Sequence, residues 1–374
     1  MAIVKFGDIV RDVKINVDRT NNPYEHYVAG DHMDSEDLTI HRHGNFATDD
    51  VGPAFTRIFR PGQILYGSRR TYLKKVAVAN FEGICANTTF VLESKDESIF
   101  ETRLLPFIIL SDAFTCWSVS HSKGSTNPYV LFSDLADFEF DLPSVAEQKV
   151  LADKLWAAYR LKESYKKLLS ATEEMVESQF IEMFGKGNWE QKCLGEIGTF
   201  KRGGGFQKSD FVEHGIPCIH YGQIHTKFGP FIYSHITEIS SDLELKTKFA
   251  SKGDLIIAIT SEDAEGSCKS TAWLGDYPVA VGGHAAIFHH SMNPLYISFY
   301  FKSTLFNHAK MEYIHGTKVV EIKPDDIAKI LVPCPPMNLQ EQFSAIAEQA
   351  DKSGVELRKS IGAIDNVIKS LINS

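Results

Sequence analysis

The sequence predicts an α+β protein made of two tandem globular units, each followed by a long helix, and three observations carry that expectation. The first is self-similarity. Phe6-Gly7-Asp8-Ile9 returns as Leu194-Gly195-Glu196-Ile197, 188 residues on, and Pro61-Gly62-Gln63-Ile64-Leu65 returns as Lys252-Gly253-Asp254-Leu255-Ile256, 191 on. Gly124-Ser125-Thr126 returns as Gly316-Thr317-Lys318, 192 on, and Glu147-Gln148 as Glu341-Gln342, 194 on. Matches in the same order, with offsets this close, mark a duplicated unit of about 185 residues. The second observation is a mixture of short strand-like runs with Gly and Pro punctuation. The third is a pair of proline-free helical stretches at matching places.

In chain order, residues 1–142 form the first α+β domain, with strands expected at Gln63–Tyr66, Val76–Ala79 and Thr89–Leu92. A hinge at Asp141-Leu142-Pro143 leads into a helix over 143–187. Ser144 is a good N-cap, and Glu147 three residues later completes a capping box. Apolar residues then recur at steps of four and three (Leu151, Leu155, Ala158, Tyr165, Leu169, Val176, Met183), with Lys162, Thr172 and Gln179 at the intervening places. Residues 188–337 repeat the domain, with strands expected at Asp254–Thr260, Val279–Val281 and Ala286–His289. Val332-Pro333-Cys334-Pro335-Pro336 is the second hinge. The second helix, over 338–374, is expected to be capped near Asn338 and to carry Phe343, Ile346, Ala350, Leu357, Ile361, Ile364, Ile368 and Leu371. Helices of 35 to 40 residues are roughly 50 to 60 Å long, more than a small domain needs. Sustained 4-3 spacing predicts a coiled-coil partner. Two such helices in one chain are natural partners for each other, with Leu155, Leu169, Ile346 and Ile364 in the seam; the plain alternative is that each packs on its own globular half.

The chain has 374 residues, 39 Lys plus Arg and 48 Asp plus Glu, for a net charge of -9. That balance argues against indiscriminate coating of nucleic acid or anionic membrane, although it permits a local basic patch. Six cysteines without a Cys-x-x-Cys signal neither a zinc site nor a disulfide framework, so reduced thiols in the cytoplasm are expected. The longest apolar run, Leu104 to Leu110, contains Pro106 and is far short of the roughly 20 residues that span a bilayer. No signal peptide is evident at the N-terminus.

Within this acidic chain, Thr56 to Lys75 holds six bases (Arg57, Arg60, Arg69, Arg70, Lys74, Lys75) and no acid. In the second unit, Lys201-Arg202-Gly203-Gly204-Gly205-Phe206-Gln207-Lys208 sets three bases beside glycines that permit close backbone approach. Interleaved with Tyr66, Tyr72 and Phe206, such patches suit phosphate contact and base-edge readout. An ordinary solvated loop is the plain alternative.

Signatures of catalysis are missing. Gly266-Ser267-Cys268-Lys269-Ser270 lacks the spacing of a phosphate loop, and Gly203-Gly204-Gly205 lacks that of a dinucleotide fingerprint. Asn22-Pro23-Tyr24 and Asn127-Pro128-Tyr129 each lack the second proline of an amino-methyltransferase loop and read as turns. His41 with His43, or His284 with His289 and His290, have spacings more often structural than metal-binding. Glu321-Ile322-Lys323 has no Pro-Asp before it at the distance a nuclease motif requires.

The duplicated order resembles the DNA specificity subunit of Type I restriction-modification systems over essentially the whole chain. Leu142-Pro143-Ser144-Val145-Ala146-Glu147-Gln148 and Val332-Pro333 through Glu341-Gln342 look like that family's helix-start motif. Residues 61–75, Phe81-Glu82-Gly83-Ile84-Cys85 and Gly124-Ser125-Thr126-Asn127-Pro128 look like its recognition domains. In the second unit, Ile216 to Ile224, Gly253-Asp254-Leu255-Ile256 and Thr260-Ser261-Glu262 are similar again. The resemblance implies two target recognition domains (1–142 and 188–337), each reading one half of a split site on double-stranded DNA. It also implies that the two helices pair as an antiparallel coiled coil, set the spacer and dock two modification subunits. Those partners carry S-adenosylmethionine, and a restriction and translocase subunit, where present, adds ATP and Mg; the chain itself binds no cofactor and is not catalytic. Arg57, Arg60, Arg69, Arg70, Tyr72 and Lys75 are expected at the first half-site. Lys201, Arg202, Lys208, Tyr221, Gln223 and Ser261 are expected at the second. A non-DNA coiled-coil scaffold joining two ligand-binding domains and a self-contained DNA methyltransferase remain the alternatives.

Overall fold

The computed structural model describes residues 2–18, 21–314 and 320–373, so the Gly316-Thr317-Lys318 match lies outside the described residues. The chain divides into two compact units, one formed by residues 1–166 with 359–374 and the other by 167–358. Both long helices are therefore shared: Val145–Phe184 and Met337–Ile372 each contribute to both units.

The first unit holds two four-stranded sheets. One is antiparallel and runs Val10–Asp12, Thr89–Ser94, Ile64–Gly67, Val76–Val78. The other runs Gly44–Asn45, His26–Val28, Gly83–Ala86, Phe55–Phe59, with a parallel pairing at its centre. The second unit repeats both orders with one strand added to each. Its first sheet runs Gly198–Arg202, Ala285–His290, Leu255–Ala258, Ser270–Trp273, Phe231–Ile232. Its second has Ile216–Ile219 parallel to Val279–Val281 at the same central place. Gly62 and Gly253 begin the matching hairpins with φ of 89° and 95°, a left-handed turn that a side chain would strain. The duplication thus reaches single backbone angles.

Each unit's core is lined by its share of the helices. In the first unit Ala152, Leu155, Tyr159 and Ile368 close over Phe6, Tyr66, Phe107 and Phe114, with Ile364 packed at the margin. Lys162 and Asp365 form an ion pair of 2.6 Å between the two helices. In the second unit Val176, Phe180, Phe184, Phe343 and Ala347 pack on Phe288, Tyr296 and Tyr300. The Phe180 and Phe343 rings meet edge-on at 5.2 Å. A Cβ built on Gly354 would stand 3.4 Å from Leu169 Cδ1. Moving from Leu169 to Phe180 along one helix therefore runs from Gly354 back to Phe343 along the other, an antiparallel pairing. A buried apolar side chain of this size contributes roughly 1.5–3 kcal/mol.

Two expectations shift by a residue or two. The buried stripe of the first helix keeps Leu155 and Val176 but takes Ala152, Tyr159 and Phe180 where Leu151, Ala158 and Gln179 were expected, and Leu169 is only half-buried and outside the core clusters. In the second helix Ala347 is in the core, and Ile346 is only half-buried and outside the core cluster. A small residue there leaves room for the Phe180 and Phe343 rings, so side-chain size outweighs hydropathy. Ser144 caps the first helix as expected, its Oγ accepting from the Glu147 amide (3.4 Å) while its own backbone amide donates to the Glu147 carboxylate (2.9 Å). The second helix begins at Met337, with the Pro336 carbonyl accepting from Leu339 and Gln340, so Asn338 lies inside it.

The helix starts correspond through glutamine, 192 residues apart. Gln148 is fully buried: its Oε1 accepts from the Glu101 amide (2.8 Å), and its Nε2 donates to the Ile99 (3.1 Å) and Pro143 (2.9 Å) carbonyls. Gln340 repeats the lock, accepting from the Asn293 amide (2.9 Å) and donating to the Pro335 carbonyl (2.8 Å). Gln342, paired with Gln148 by sequence, is exposed. The true signature is Pro-x4-Gln, a proline carbonyl held by a glutamine one turn into the helix.

Candidate nucleic-acid interface

In the first unit the fold rearranges the acid-free run. Arg57 is buried on the edge strand Phe55–Phe59, where its Nη1 donates to Asp12 (2.9 Å) and the Thr89 carbonyl (3.0 Å). Its guanidinium is committed inside the protein, so Arg57 is removed from the expected DNA contacts. Arg60 pairs with Glu82 at 3.4 Å, and Lys74 reaches Glu36 and Asp112, each at 3.3 Å. Lys75 donates to the Gly30 carbonyl (2.5 Å) beside Asp31 and is only partly exposed. Acids distant in sequence thus answer four of the six bases.

Arg69 and Arg70 remain at the surface, on the turn between Ile64–Gly67 and Val76–Val78. The turn docks on the loop that holds Gly124-Ser125-Thr126. The Arg70 amide donates to the Pro128 carbonyl (2.7 Å) and Val130 donates to Ser68 (2.9 Å). The Arg69 guanidinium stands 5.9 Å from the Tyr129 ring centre, a cation–π arrangement. Arg70 (φ 50°) and Lys74 (φ 48°) hold left-handed backbone, and Tyr72 between them is exposed. The result is a bent, exposed group of Arg69, Arg70, Tyr72 and Tyr129 built from two remote segments. Tyr129 was not singled out from sequence, where its Asn-Pro-Tyr context reads only as a turn.

In the second unit the matching hairpin is longer, and its turn spans residues 259–269 between Leu255–Ala258 and Ser270–Trp273. A recess of about 530 Å³ opens beside it, lined by Tyr221, His225, Thr226, Ser261, Lys269 and His284, with Glu262 and Asp263 at its acidic side. Tyr221 and His284 rings lie 5.1 Å apart, and His225 Nε2 is 3.1 Å from the Thr260 carbonyl. The expected Tyr221 and Ser261 are brought together here, whereas the exposed Lys201 and Lys208 lie outside the lining. Arg202 is held by the Gly283 carbonyl (2.8 Å) and Glu321 (3.4 Å). His225, Lys269 and His284 were missed; the i, i+4 spacing of Tyr221 and His225 was the available signal for one of them.

Two readings change. Gln223 is buried, its Oε1 accepting from the His220 amide (3.1 Å) and its Nε2 donating to Thr237 (2.9 Å), so it caps its short helix and does not reach a ligand. The glycine loop serves the chain itself: a Cβ on Gly203 would stand 2.3 Å from the Gly282 carbonyl oxygen, and one on Gly204 2.9 Å from that of Lys246. Those glycines allow backbone to pass backbone, not a phosphate.

Among the described residues, Asp37, His41 and Glu163 form the group with metal-ligand spacing. The Lys166 ammonium already lies 3.0 Å from Asp37 and 2.8 Å from Glu163, so the cation between them is the protein's own. Burial would raise the Asp37 pKa, but bonds from the Thr39 amide, the Tyr159 hydroxyl and Lys166 outweigh it and bring it to about 2. Among the described residues, no helix is long and apolar enough to cross a membrane.

A duplicated α+β unit whose matching hairpin turns carry unlike surfaces, cationic and aromatic in the first copy and mixed in charge in the second, its copies sharing a pair of antiparallel helices, defines a tandem-repeat α+β protein. Residues 186–364 match the family model of the Type I restriction modification DNA specificity domain. The chain is 27% identical over 148 residues to the Type I restriction enzyme EcoDI specificity subunit of Escherichia coli, a match covering 40% of this chain and 32% of that protein. It is 20% identical over 315 residues to the MjaVIII specificity subunit of Methanocaldococcus jannaschii, covering 78% of this chain and 73% of that one. The crystal structure of the Type I restriction-modification S subunit from M. genitalium shares the fold, with a TM-score of 0.59 over 99% of this chain and 94% of that one at 13% identity. Residues 186–364 are thus similar to that specificity domain, and the chain over most of its length is similar to Type I specificity subunits.

Proposed function

We propose that this chain selects the DNA site for a Type I modification complex, each globular unit reading one half of a split, asymmetric sequence. The observation that carries the reading is the pair of non-identical surfaces at matching hairpin turns. In the first unit Arg69, Arg70, Tyr72 and Tyr129 offer cations and π faces, suited to guanine edges and phosphates. In the second, Tyr221, Thr226, Ser261, Lys269, Glu262 and Asp263 mix donors with acceptors, which suits base edges better than phosphates alone. Different surfaces call for different half-sites. The antiparallel helices fix the spacing between the halves.

The first helix also exposes Leu161, Leu168 and Met175 at seven-residue intervals, an apolar line that fits a modification subunit. Two such subunits supply S-adenosylmethionine and adenine methylation, and a restriction and translocase subunit, where present, supplies ATP- and Mg-dependent cutting. The specificity chain is then the non-catalytic member of a cytoplasmic complex. Its net charge of -9 is compatible with this role because partners neutralise much of the phosphate backbone. Co-expression with the modification subunit followed by sequencing of methylated adenines tests the proposal. Methylation at one split sequence with two unlike halves is expected; no new methylation, or an unsplit site, refutes it.

A further inference from the structure

The turn over residues 259–269 carries half the lining of the second-unit recess, yet it is poorly supported from below. A cavity of about 300 Å³ lies there, lined by Glu265, Ser267, Cys268, Lys302, Asn307 and Lys310 among others. Cys268 sits in left-handed backbone at φ 60°, a conformation that costs a non-glycine residue on the order of 1 kcal/mol and persists only where its surroundings hold it. Into this space reaches Lys310, the last residue of the helix Thr304–Lys310, only 2% exposed. Its Nζ donates to the Glu265 carbonyl (2.9 Å) and the Ser267 carbonyl (2.7 Å), on either side of the bend before Cys268.

We infer that Lys310 is a specificity-determining positioning residue, holding the turn that presents Ser261, Glu262, Asp263 and Lys269 so that the second half-site can be discriminated. The inference rests on the DNA-reading role proposed above. A buried ammonium is costly unless its hydrogen bonds are made, and here they are made to the backbone of the turn. Burial lowers the Lys310 pKa, in keeping with that strain. The first unit shows why a cation is placed here. Its turn covers only residues 68–75 and carries the same left-handed residue before its return strand, Lys74 at φ 48°. The position 192 residues before Lys310 is Ser118, fully buried and within hydrogen-bonding reach of Tyr66. The short turn is backed by small hydroxyls, Thr71 Oγ1 lying 3.4 Å from Ser122 Oγ just past the helix that carries Ser118. The longer turn needs a long side chain that binds two carbonyls at once.

The test uses the chain assembled with its modification subunit and a synthetic duplex carrying the site recovered by methylation sequencing, with single base-pair changes in each half. Lys310→Met is expected to lower discrimination at the second half-site tenfold or more and to leave discrimination at the first unchanged. Lys310→Arg, which keeps a cation and its donors, is expected to retain most of it. Should the methionine variant not fold, Lys310→Gln is measured in the same way. A folded neutral variant with undiminished second-half discrimination, or one that loses both halves equally, overturns the inference. Failure of the wild-type complex to discriminate at either half overturns the DNA-reading role itself, so the two failures are distinguishable.

Discussion

Replacing Gln148 with leucine keeps approximate volume at a fully buried position and removes an amide that makes three hydrogen bonds. The Glu101 amide and the Ile99 and Pro143 carbonyls are left without that partner. At about 1 kcal/mol for each bond lost, with a further contribution for stranding a buried donor, the first unit should lose about 3–5 kcal/mol. Gln340→Leu removes two such bonds, and the second unit should lose about 2–4 kcal/mol. For units of this size those losses lower the corresponding melting transition by roughly 4–20 °C. Gln342→Leu, at an exposed position, should change stability by no more than about 0.5 kcal/mol. Denaturation can be followed by tryptophan fluorescence, since Trp117 and Trp156 lie in the first unit and Trp189 and Trp273 in the second. If Gln342→Leu costs as much as Gln340→Leu, or Gln148→Leu costs no more than Gln342→Leu, the paired-glutamine lock is refuted.

Replacing Arg69 and Arg70 together with alanine should weaken DNA binding by the assembled complex and relax preference at one half-site only; unchanged affinity and preference would exclude the exposed turn as a reading surface. Aspartate at Leu161, Leu168 and Met175 should abolish co-purification with the modification subunit while leaving the melting transitions within a few degrees, because these side chains are exposed in the free chain. Asp37 has a folded pKa near 2 against an ordinary value of 3.8, so its stabilising contribution is present above about pH 4 and is lost as pH falls toward 2. The loss amounts to about 2 kcal/mol by linkage, and Asp37→Asn should flatten the acid limb of a stability–pH profile for the first unit.

The duplication, the α+β class and the two helices were legible because each rests on local chemistry: Gly62 and Gly253 in left-handed turns, Ser144 with Glu147 at a helix start, and heptad spacing anchored on Leu155 and Val176. Register was less legible. Hydropathy favours Ile346 over Ala347, but the room needed by Phe180 and Phe343 decides the packing, and that is a property of two helices together. The interface was the least legible part. Thr56 to Lys75 contains no acid in sequence, yet Asp12, Glu82, Glu36, Asp112 and Asp31 reach its bases in space. Gln223 has the side chain of an adenine reader, but its neighbours His220 and Thr237 already satisfy its amide. Donor and acceptor types can be read from a sequence; whether they are already occupied cannot.

The sharing of the helices has a consequence for the order of folding. The second unit, 167–358, is continuous in the chain, but the first is interrupted and is completed by residues 359–374. On the ribosome, residues 1–166 emerge with Leu155 and Tyr159 uncovered and wait while 192 further residues are made, roughly 10–40 s at ordinary synthesis rates, before Ile364 and Ile368 arrive. The unit encoded first is finished last, so translation leaves an incomplete core in the first unit exposed to chaperones and proteases until the whole second unit has been made.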